Sequence, residues 1–451
     1  MITIEEIGAN IGVNIKAIPD EYKNIEINNI STDTRTIKKG DFYIPLKGAN
    51  FDGEKFINNA LEFGAVGYLG TNIESDVLIK NGAIGIKVDD TKISYLRLAN
   101  FYRRKLNPTV IMITGSSGKT TTKELVYSVV SQKYNTVRTP LNHNNEIGLC
   151  QTIFSVTPDT EVLIIEAGMR GLGEIELISK YAEPDYSIIS NVGTAHIGRL
   201  GSRENIAKAK CEITSYQNPN GVLIAHDDNL IKSTVSFTGE KLYYSIRDVE
   251  ITKKEIGHSE FVYNKEVYDL NIEGDYNIEN SLSAINIGKL LNIEYPLIKK
   301  GLSEYKPIEK RWEIEKIAGY NIINDSYNAN PESMKATLNT ILDLYSDAVI
   351  VLGDMGELGE NEKVYHREIG EFINKKNKST QQILTVGGLA KEISDEIKVC
   401  YTRNFETNED VARYILDNID VGTTIFLKAS RSMKFEEILE ILKKVKVGEN
   451  R

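Results

Sequence analysis

Residues 110–124 read VIMITGSSGKTTTKE: an apolar run, a glycine-rich turn carrying Lys119, and the start of a segment with Leu125, Val126, Val129 and Val130 on one side. No other feature of the chain constrains the fold as much. A β-type run that ends in glycines and reopens as an amphipathic helix is the strand–loop–helix unit of an α/β protein. Glycines let backbone N–H groups close around phosphate oxygens, and the helix N-terminus adds a favourable field. The loop is short. The common phosphate-binding pattern is G-x-x-x-x-G-K-[ST], whereas Gly115 and Gly118 have two residues between them and Ile113 holds the earlier glycine position. G-K-T-T in this setting still reads as a phosphate cradle rather than an ordinary Gly/Ser turn. Lys119 would reach the β- and γ-phosphates, and the Thr120 hydroxyl would ligate Mg2+.

The rhythm of apolar strand, polar turn and helix recurs. VIMIT, VLIIE, YSIIS and GVLIA are near-continuous apolar runs, the pattern of a parallel sheet covered on both faces, which binds ligands at the carboxyl ends of its strands. Thr114 to Thr121, Glu166 and Asn191 to His196 fall there. Upstream, DFYIPL, AVGYL and AIGIKV alternate with helical patterns such as GEKFINNALEF. The helical stretch ISYLRLANFYRRKL ends at Asn107-Pro108, because a residue before proline disfavours helix. Downstream, residues 241–272 read as β-hairpin material, GDYNIENSLSAINIGKLL as a helix and KPIEKRWEIEK as a linker. A third α/β unit follows with YNIINDSYNANP, DAVIVLGDMGELG, QQILTVGG and TTIFLKASRS. The expected organisation is α/β with three domains, 1–107, 108–311 and 312–451. The first is small, the second carries the phosphate loop on a mostly parallel sheet, and the third is Rossmann-like. A length of 451 residues calls for more than one core.

Composition narrows the classes. A hydrophobic content of 41% and a charged content of 26% are those of a globular, water-soluble chain. The net charge of −10 argues against nonspecific nucleic-acid binding, which needs a basic face. Cys150, Cys211 and Cys400 form no C-x-x-C pair, which suits a reducing cytosol and gives no disulfide or zinc framework. No stretch approaches the roughly 20 apolar residues of a membrane span, and the N-terminus does not read as a signal peptide. The expected location is the cytoplasm.

Three further residues bear on chemistry. Glu166 closes VLIIE, where a nucleotide-bound magnesium ion usually needs a carboxylate; a solvent-facing strand end is the alternative. His196 lies in NVGTAHIG, after another strand. A lone histidine is more often structural, and this one gains weight as a ligand beside Glu166 and the loop. Lys210, in RENIAKAKCEI, reads from spacing alone as a solvated lysine. The residues by themselves therefore give a magnesium-dependent, ATP-using enzyme whose acceptor is open.

Together these motifs resemble the Mur ligase family of ATP-dependent amide-forming enzymes, whose loop has the short form T-G-[ST]-x-G-K-[ST]-[ST]. The resemblance covers nearly the whole chain. TPLNHNNEIG, NDSYNANPESM, VLGDMGELGENEKVYH and LKASRSM are most similar to members that add D-alanyl-D-alanine to UDP-N-acetylmuramoyl-tripeptide. The resemblance implies that Gly115, Ser116, Ser117, Gly118, Lys119, Thr120 and Thr121 hold the ATP phosphates. Thr120, Glu166 and His196 would ligate magnesium. Lys210 matches a lysine carbamylated in many relatives, whose carboxylate-like group helps hold a second ion; this reverses the solvated reading by resemblance alone. Asn280 would contact adenine, with Arg311 and Asp325 on the nucleotide. STDTR and PLKG match a uridine-diphosphate pocket and offer Ser31, Thr34, Arg35, Lys47 and Gly48. Asn142, Asn144 and Asn145 would face the substrates, and Tyr327, Asn328 and Asn330 would handle the dipeptide. Lys428, Ser430 and Arg431 match a C-terminal motif. The catalytic set implied is Lys119, Glu166, His196 and Lys210, acting on an acyl phosphate in a monomer that needs no nucleic-acid partner.

Departures are Tyr276 where many relatives have His, Asn324 where a second Asp is usual, and Ala429 in place of the glycine of K-G-S. A folylpolyglutamate-type or sister ligase is disfavoured by DSYNANP and GDMGELG. A nucleotide switch is disfavoured by the lack of an N-K-x-D motif.

Overall fold

The computed structural model describes residues 2–48, 50–308, 310–376 and 381–444. The chain divides into two compact units, each built from several segments. The first comprises Met1–Ile111, Asn135–Ile165 and Leu177–Pro184; the second Met112–Tyr134, Glu166–Glu176 and Asp185–Arg451.

In the first unit, a five-stranded sheet runs in the order Ile30–Ser31, Phe42–Tyr43, Gly67–Gly70, Ala83–Lys87, Val77–Lys80. All its pairs are parallel except the last. STDTR and PLKG follow the carboxyl ends of two neighbouring parallel strands, where Ser31 pairs with Tyr43 in register. Beneath them Ile37, Tyr43, Ala60, Ala65, Tyr68 and Ile73 form a small core. The helix Thr91–Leu106 is capped by the Asp90 side chain and stops at Asn107, which turns left-handed (φ 52°) ahead of Pro108. Asparagine tolerates that conformation better than branched residues.

In the second unit, the strand carrying the phosphate loop ends between two neighbours. The N–H of Ala167 donates to the carbonyl of Ile113 at 2.8 Å, and that of Ser190 to Thr114 at 2.9 Å. Tyr186–Ile189, Val222–His226 and Glu240–Tyr244 continue as parallel strands. The last of these corrects the sequence reading, since hairpin pairing begins only at Val249. A three-stranded antiparallel sheet follows, Val249–Glu255, His258–Tyr263 and Glu266–Leu270. The helix Asp275–Leu290 then packs against the loop helix Lys119–Val130.

The final sheet has six strands in the order Glu313–Ile317, Tyr320–Asn324, Thr424–Lys428, Val349–Gly353, Gln382–Val386, Thr402–Phe405. Only the first is antiparallel to its neighbour. Val349 and Val351, Leu384 and Val386, and Ile425 and Leu427 join one core with the helices Asn408–Asn418 and Glu436–Lys444. The alternating Ile350, Leu352, Ile383 and Phe426 are buried as well, so both faces are covered, as a parallel sheet requires. The supposed linker KPIEKRWEIEK is therefore only partly a linker. Trp312 is buried against Phe426, and Glu313 already begins the edge strand.

Candidate active site

Backbone geometry explains the spacing of the loop glycines. Gly118 is left-handed (φ 76°), and a Cβ there would lie 2.7 Å from Asn280 Oδ1; at Gly115 it would lie 1.9 Å from Ser190 Oγ. A side chain at either position would push the loop off its neighbours. The loop is also clamped. Asn191 receives the Ser116 N–H on its carbonyl (3.1 Å) and the Ser117 N–H on Oδ1 (2.9 Å). Ser190 Oγ and Asn191 Nδ2 donate to the Ser117 carbonyl at 2.7 and 3.0 Å. No side chain caps the N-terminus of the helix Lys119–Val130, so the positive end of that helix is left for an anion.

Lys119 Nζ donates to the Gly115 carbonyl at 2.8 Å, which curls the side chain over the loop. Burial holds its pKa below the ordinary lysine value; Glu166 opposes this and the charge of Arg311 adds to it. Thr120 Oγ1 donates to Glu166 Oε2 at 2.9 Å, and both residues are buried. The same carboxylate oxygen lies 3.7 Å from Nζ of Lys123, which is fully buried and 3.1 Å from Glu124. Sequence reading passed over Lys123. Its position three residues after Thr120, on one helical face with the candidate magnesium ligand, was the available signal.

Lys210 overturns the solvated reading made from spacing alone. It is fully buried in the helix Arg203–Cys211, and its Nζ has no hydrogen-bond partner among the described residues. Burial, reinforced by the charge of Lys119, pulls its pKa well below the ordinary lysine value. A buried, unpartnered amine with a lowered pKa is suited to act as a nucleophile, since an uncompensated ammonium is costly there. His196 faces Glu357 through Nδ1, and burial lowers its pKa against the pull of that carboxylate.

The donor set fits magnesium. Thr120 and Glu166 supply hard oxygen atoms, and among the described residues no three His, Cys, Asp or Glu side chains form a ready-made cage. Magnesium takes one or two carboxylates and completes its shell with water and phosphate oxygens. A carbamate on the orphaned Lys210 amine would add a further oxygen donor.

The final sheet places Asp325, Lys428 and Asp354 at the carboxyl ends of three adjacent strands. Asp325 follows one strand and pairs with Lys428 at the end of the next, both buried; the Asp325 N–H donates to Leu427 at 2.9 Å. Burial raises the Asp325 pKa, and Lys428 counteracts it. Lys428 also lies 3.5 Å from the Asn328 carbonyl. Arg311 stacks on the Tyr327 ring, 3.8 Å from its centroid. Ser430 donates its N–H to the Asp354 carbonyl at 3.0 Å, and Arg431 is exposed near Glu436. Asn280 lies under the loop, 3.4 Å from Thr122 Oγ1. Glu332, also missed, accepts from Thr194 Oγ1 at 2.8 Å.

The departures find local accommodation. Tyr276 lies edge-on to Trp312, and Asn324 Oδ1 accepts from the Ser326 hydroxyl at 2.7 Å. Ala429 Cβ occupies space that Gly353 leaves open, where a second Cβ would come within 2.7 Å.

Asn330 Oδ1 caps the helix Pro331–Leu344 through the Ser333 N–H (2.9 Å). In the first unit, Asn145 does the same for Glu146–Phe154 through Gly148 (2.9 Å), and the Asn142 carbonyl accepts from Asn144 (2.8 Å). Elsewhere in that unit, buried Ser31 accepts from the Asp33 N–H at 3.1 Å, and Thr34 opens a short 3-10 turn. Arg35 is exposed and grips Asp33 with two nitrogens. The Lys47 backbone forms an isolated antiparallel β-bridge with that of Asp52, and Gly48 donates its N–H to the Phe51 carbonyl at 2.8 Å.

Family models match most of the chain. The Mur ligase family catalytic domain matches residues 26–103, the Mur ligase middle domain 113–288, and the Mur ligase glutamate ligase domain 310–431. UDP-N-acetylmuramoyl-tripeptide--D-alanyl-D-alanine ligase of Bacillus subtilis (strain 168) is 36% identical over 436 residues, covering 94% of each chain. A crystal structure of MurF from Acinetobacter baumannii aligns with a TM-score of 0.86 at 27% identity, covering 98% of this chain and 99% of that one. MurF ligase from Thermotoga maritima in complex with ADP aligns at 0.81 and 26% identity, covering 92% and 97%. On these likenesses, and on a phosphate loop of the matching short form, the chain belongs to the Mur ligase family.

Proposed function

We propose that the protein is an ATP-dependent ligase joining D-alanyl-D-alanine to UDP-N-acetylmuramoyl-tripeptide, giving the pentapeptide precursor, ADP and phosphate. The observation that carries this reading is the clamped short loop with Lys119 curled over it, in a chain so similar along its length to ligases of that name. The terminal carboxylate of the tripeptide takes the γ-phosphoryl group, forming an acyl phosphate. The amine of D-alanyl-D-alanine attacks that carbonyl, loses a proton and expels phosphate. A bare carboxylate is a poor electrophile, and phosphorylation supplies its leaving group.

The protein's share is positioning and charge neutralisation. The loop residues 115–121 hold the ATP phosphates, with Lys119 on the β- and γ-phosphates. Asn280, Arg311 and Asp325 bind the rest of the nucleotide. Thr120, Glu166, His196 and a carbamylated Lys210 would hold two magnesium ions, which would neutralise charge developing on the phosphoryl oxygens. Ser31, Thr34, Arg35, Lys47 and Gly48 receive the uridine diphosphate. Asn142, Asn144, Asn145, Tyr327, Asn328 and Asn330 meet the peptide substrates, Asn145 and Asn330 each also capping a helix of its own unit. The functional boundaries are 1–107 for the UDP substrate, 108–311 for ATP and 312–451 for the closing domain; family-model spans of 26–103, 113–288 and 310–431 support them. A cytoplasmic monomer is the expected form, and among the described residues no helix is long and apolar enough to cross a membrane.

Phosphate release by purified protein, with each substrate omitted in turn, tests the reading. Release only when both peptide substrates accompany Mg-ATP, with the pentapeptide identified by mass, is expected. Release indifferent to both would replace the ligase with an ATPase.

A further inference from the structure

His196 precedes the short helix Ile197–Leu200 in a left-handed conformation (φ 65°). Its buried Nδ1 lies at ion-pair distance from the Glu357 carboxylate, and the atom has no hydrogen-bond partner of good geometry among the described residues. Glu357 comes from the turn after the strand Val349–Gly353 and is itself left-handed (φ 62°). Its carbonyl accepts from the Gly198 N–H at 3.0 Å. The two turns are thus joined once by backbone and once by side chain. Their approach is close enough that a Cβ on Gly198 would lie 2.6 Å from the Gly359 nitrogen. The Glu357 turn is also anchored independently of its carboxylate. Met355 donates its N–H to His366 Nε2 at 2.9 Å, and the Asp354 carbonyl accepts from Ser430 at 3.0 Å.

We infer that Glu357 is the positioning residue of His196, holding the ring hydrogen on Nδ1 and presenting the Nε2 lone pair as a ligand. The inference rests on the proposed role of His196 toward magnesium. A carboxylate accepts but cannot donate, so its negative charge beside Nδ1 favours the tautomer with the hydrogen on that nitrogen. Because Glu357 arrives from the final sheet, a ligand of the phosphate site takes its competent form only while that turn is docked. The side chain of Glu357 is 43% exposed, so replacing it strands no buried charge and leaves the fold intact.

The experiment has two arms, applied to wild type, Glu357→Ala, Glu357→Gln and His196→Ala. The first records 15N shifts of the labelled histidines in metal-free protein. The second titrates Mn2+ into the ADP-bound protein. Wild type shows His196 with an unprotonated Nε2. Glu357→Ala shifts that signal toward the protonated form and weakens Mn2+ binding by about tenfold. Glu357→Gln, whose amide oxygen still accepts, stays near wild type in both. Added to His196→Ala, Glu357→Ala weakens Mn2+ no further. A wild-type tautomer and wild-type Mn2+ affinity in Glu357→Ala overturn the inference. Wild-type Mn2+ affinity in His196→Ala overturns the ligand role instead, and leaves the tautomer result to stand alone.

Discussion

Around the phosphate loop, Thr120, Glu166, Lys123 and Lys210 are buried, and the groups of Thr120 and Lys123 face the Glu166 carboxylate. At the carboxyl ends of the strands in the first unit, the Arg35 side chain is 86% exposed and already paired with Asp33. Glu166 ends one parallel strand and Arg35 follows another, the positions where α/β sheets bind ligands. Under the proposed function they differ in what the ligand must do there. Phosphoryl transfer needs charges set in advance in a dry site, where each is worth more and nothing has to reorganise. Holding a sugar nucleotide needs only surface, reach and a charge that can be traded from one partner to another.

That contrast predicts a steep gradient of effects. Lys119→Ala should keep the wild-type melting temperature and lower kcat by about 10²–10³-fold, measured as phosphate release. Wild-type turnover in that variant would sink the loop assignment. Lys210→Met should fold, because burying an apolar chain there relieves an unpartnered amine, and should lose on the order of 10–100-fold in activity. In 13C-bicarbonate the wild-type protein should show a carbamate signal that Lys210→Met lacks. Only the neutral amine takes up CO2. With its pKa lowered, the signal should rise with pH at values where an exposed lysine is still protonated. Arg35→Ala should raise KM for the sugar nucleotide by no more than about fivefold, leaving kcat and stability alone, as befits an exposed charge. A large kcat effect at Arg35, or a small one at Lys119, would erase the distinction.

The sequence disclosed these regions unevenly, for physical reasons. The loop was legible because its demands are local: glycines where backbone must pass close, then a lysine and a hydroxyl at fixed offsets. The strand runs were legible because burial on both faces leaves them continuously apolar. Lys210 was not, since its burial is decided by how the helix Arg203–Cys211 packs and not by its own neighbours in sequence. Glu332 and Glu357 were hidden because their partners, Thr194 and His196, are more than a hundred residues away in the chain. Trp312 marks the end of the linker, but burial of a tryptophan next to charged residues gives no periodic signal. Asn145 and Asn330 each precede a helix, and their capping role could have been read from Asn-Glu and Asn-Pro at those starts.

Transfer of the γ-phosphoryl group to the tripeptide carboxylate is the central step of the proposed reaction. The direct test uses tripeptide substrate labelled with 18O in both oxygens of that carboxylate. One labelled oxygen should appear in the released phosphate and one remain in the new amide. Phosphate free of label, or label appearing in AMP, would contradict an acyl phosphate and require a different activation of the carboxylate.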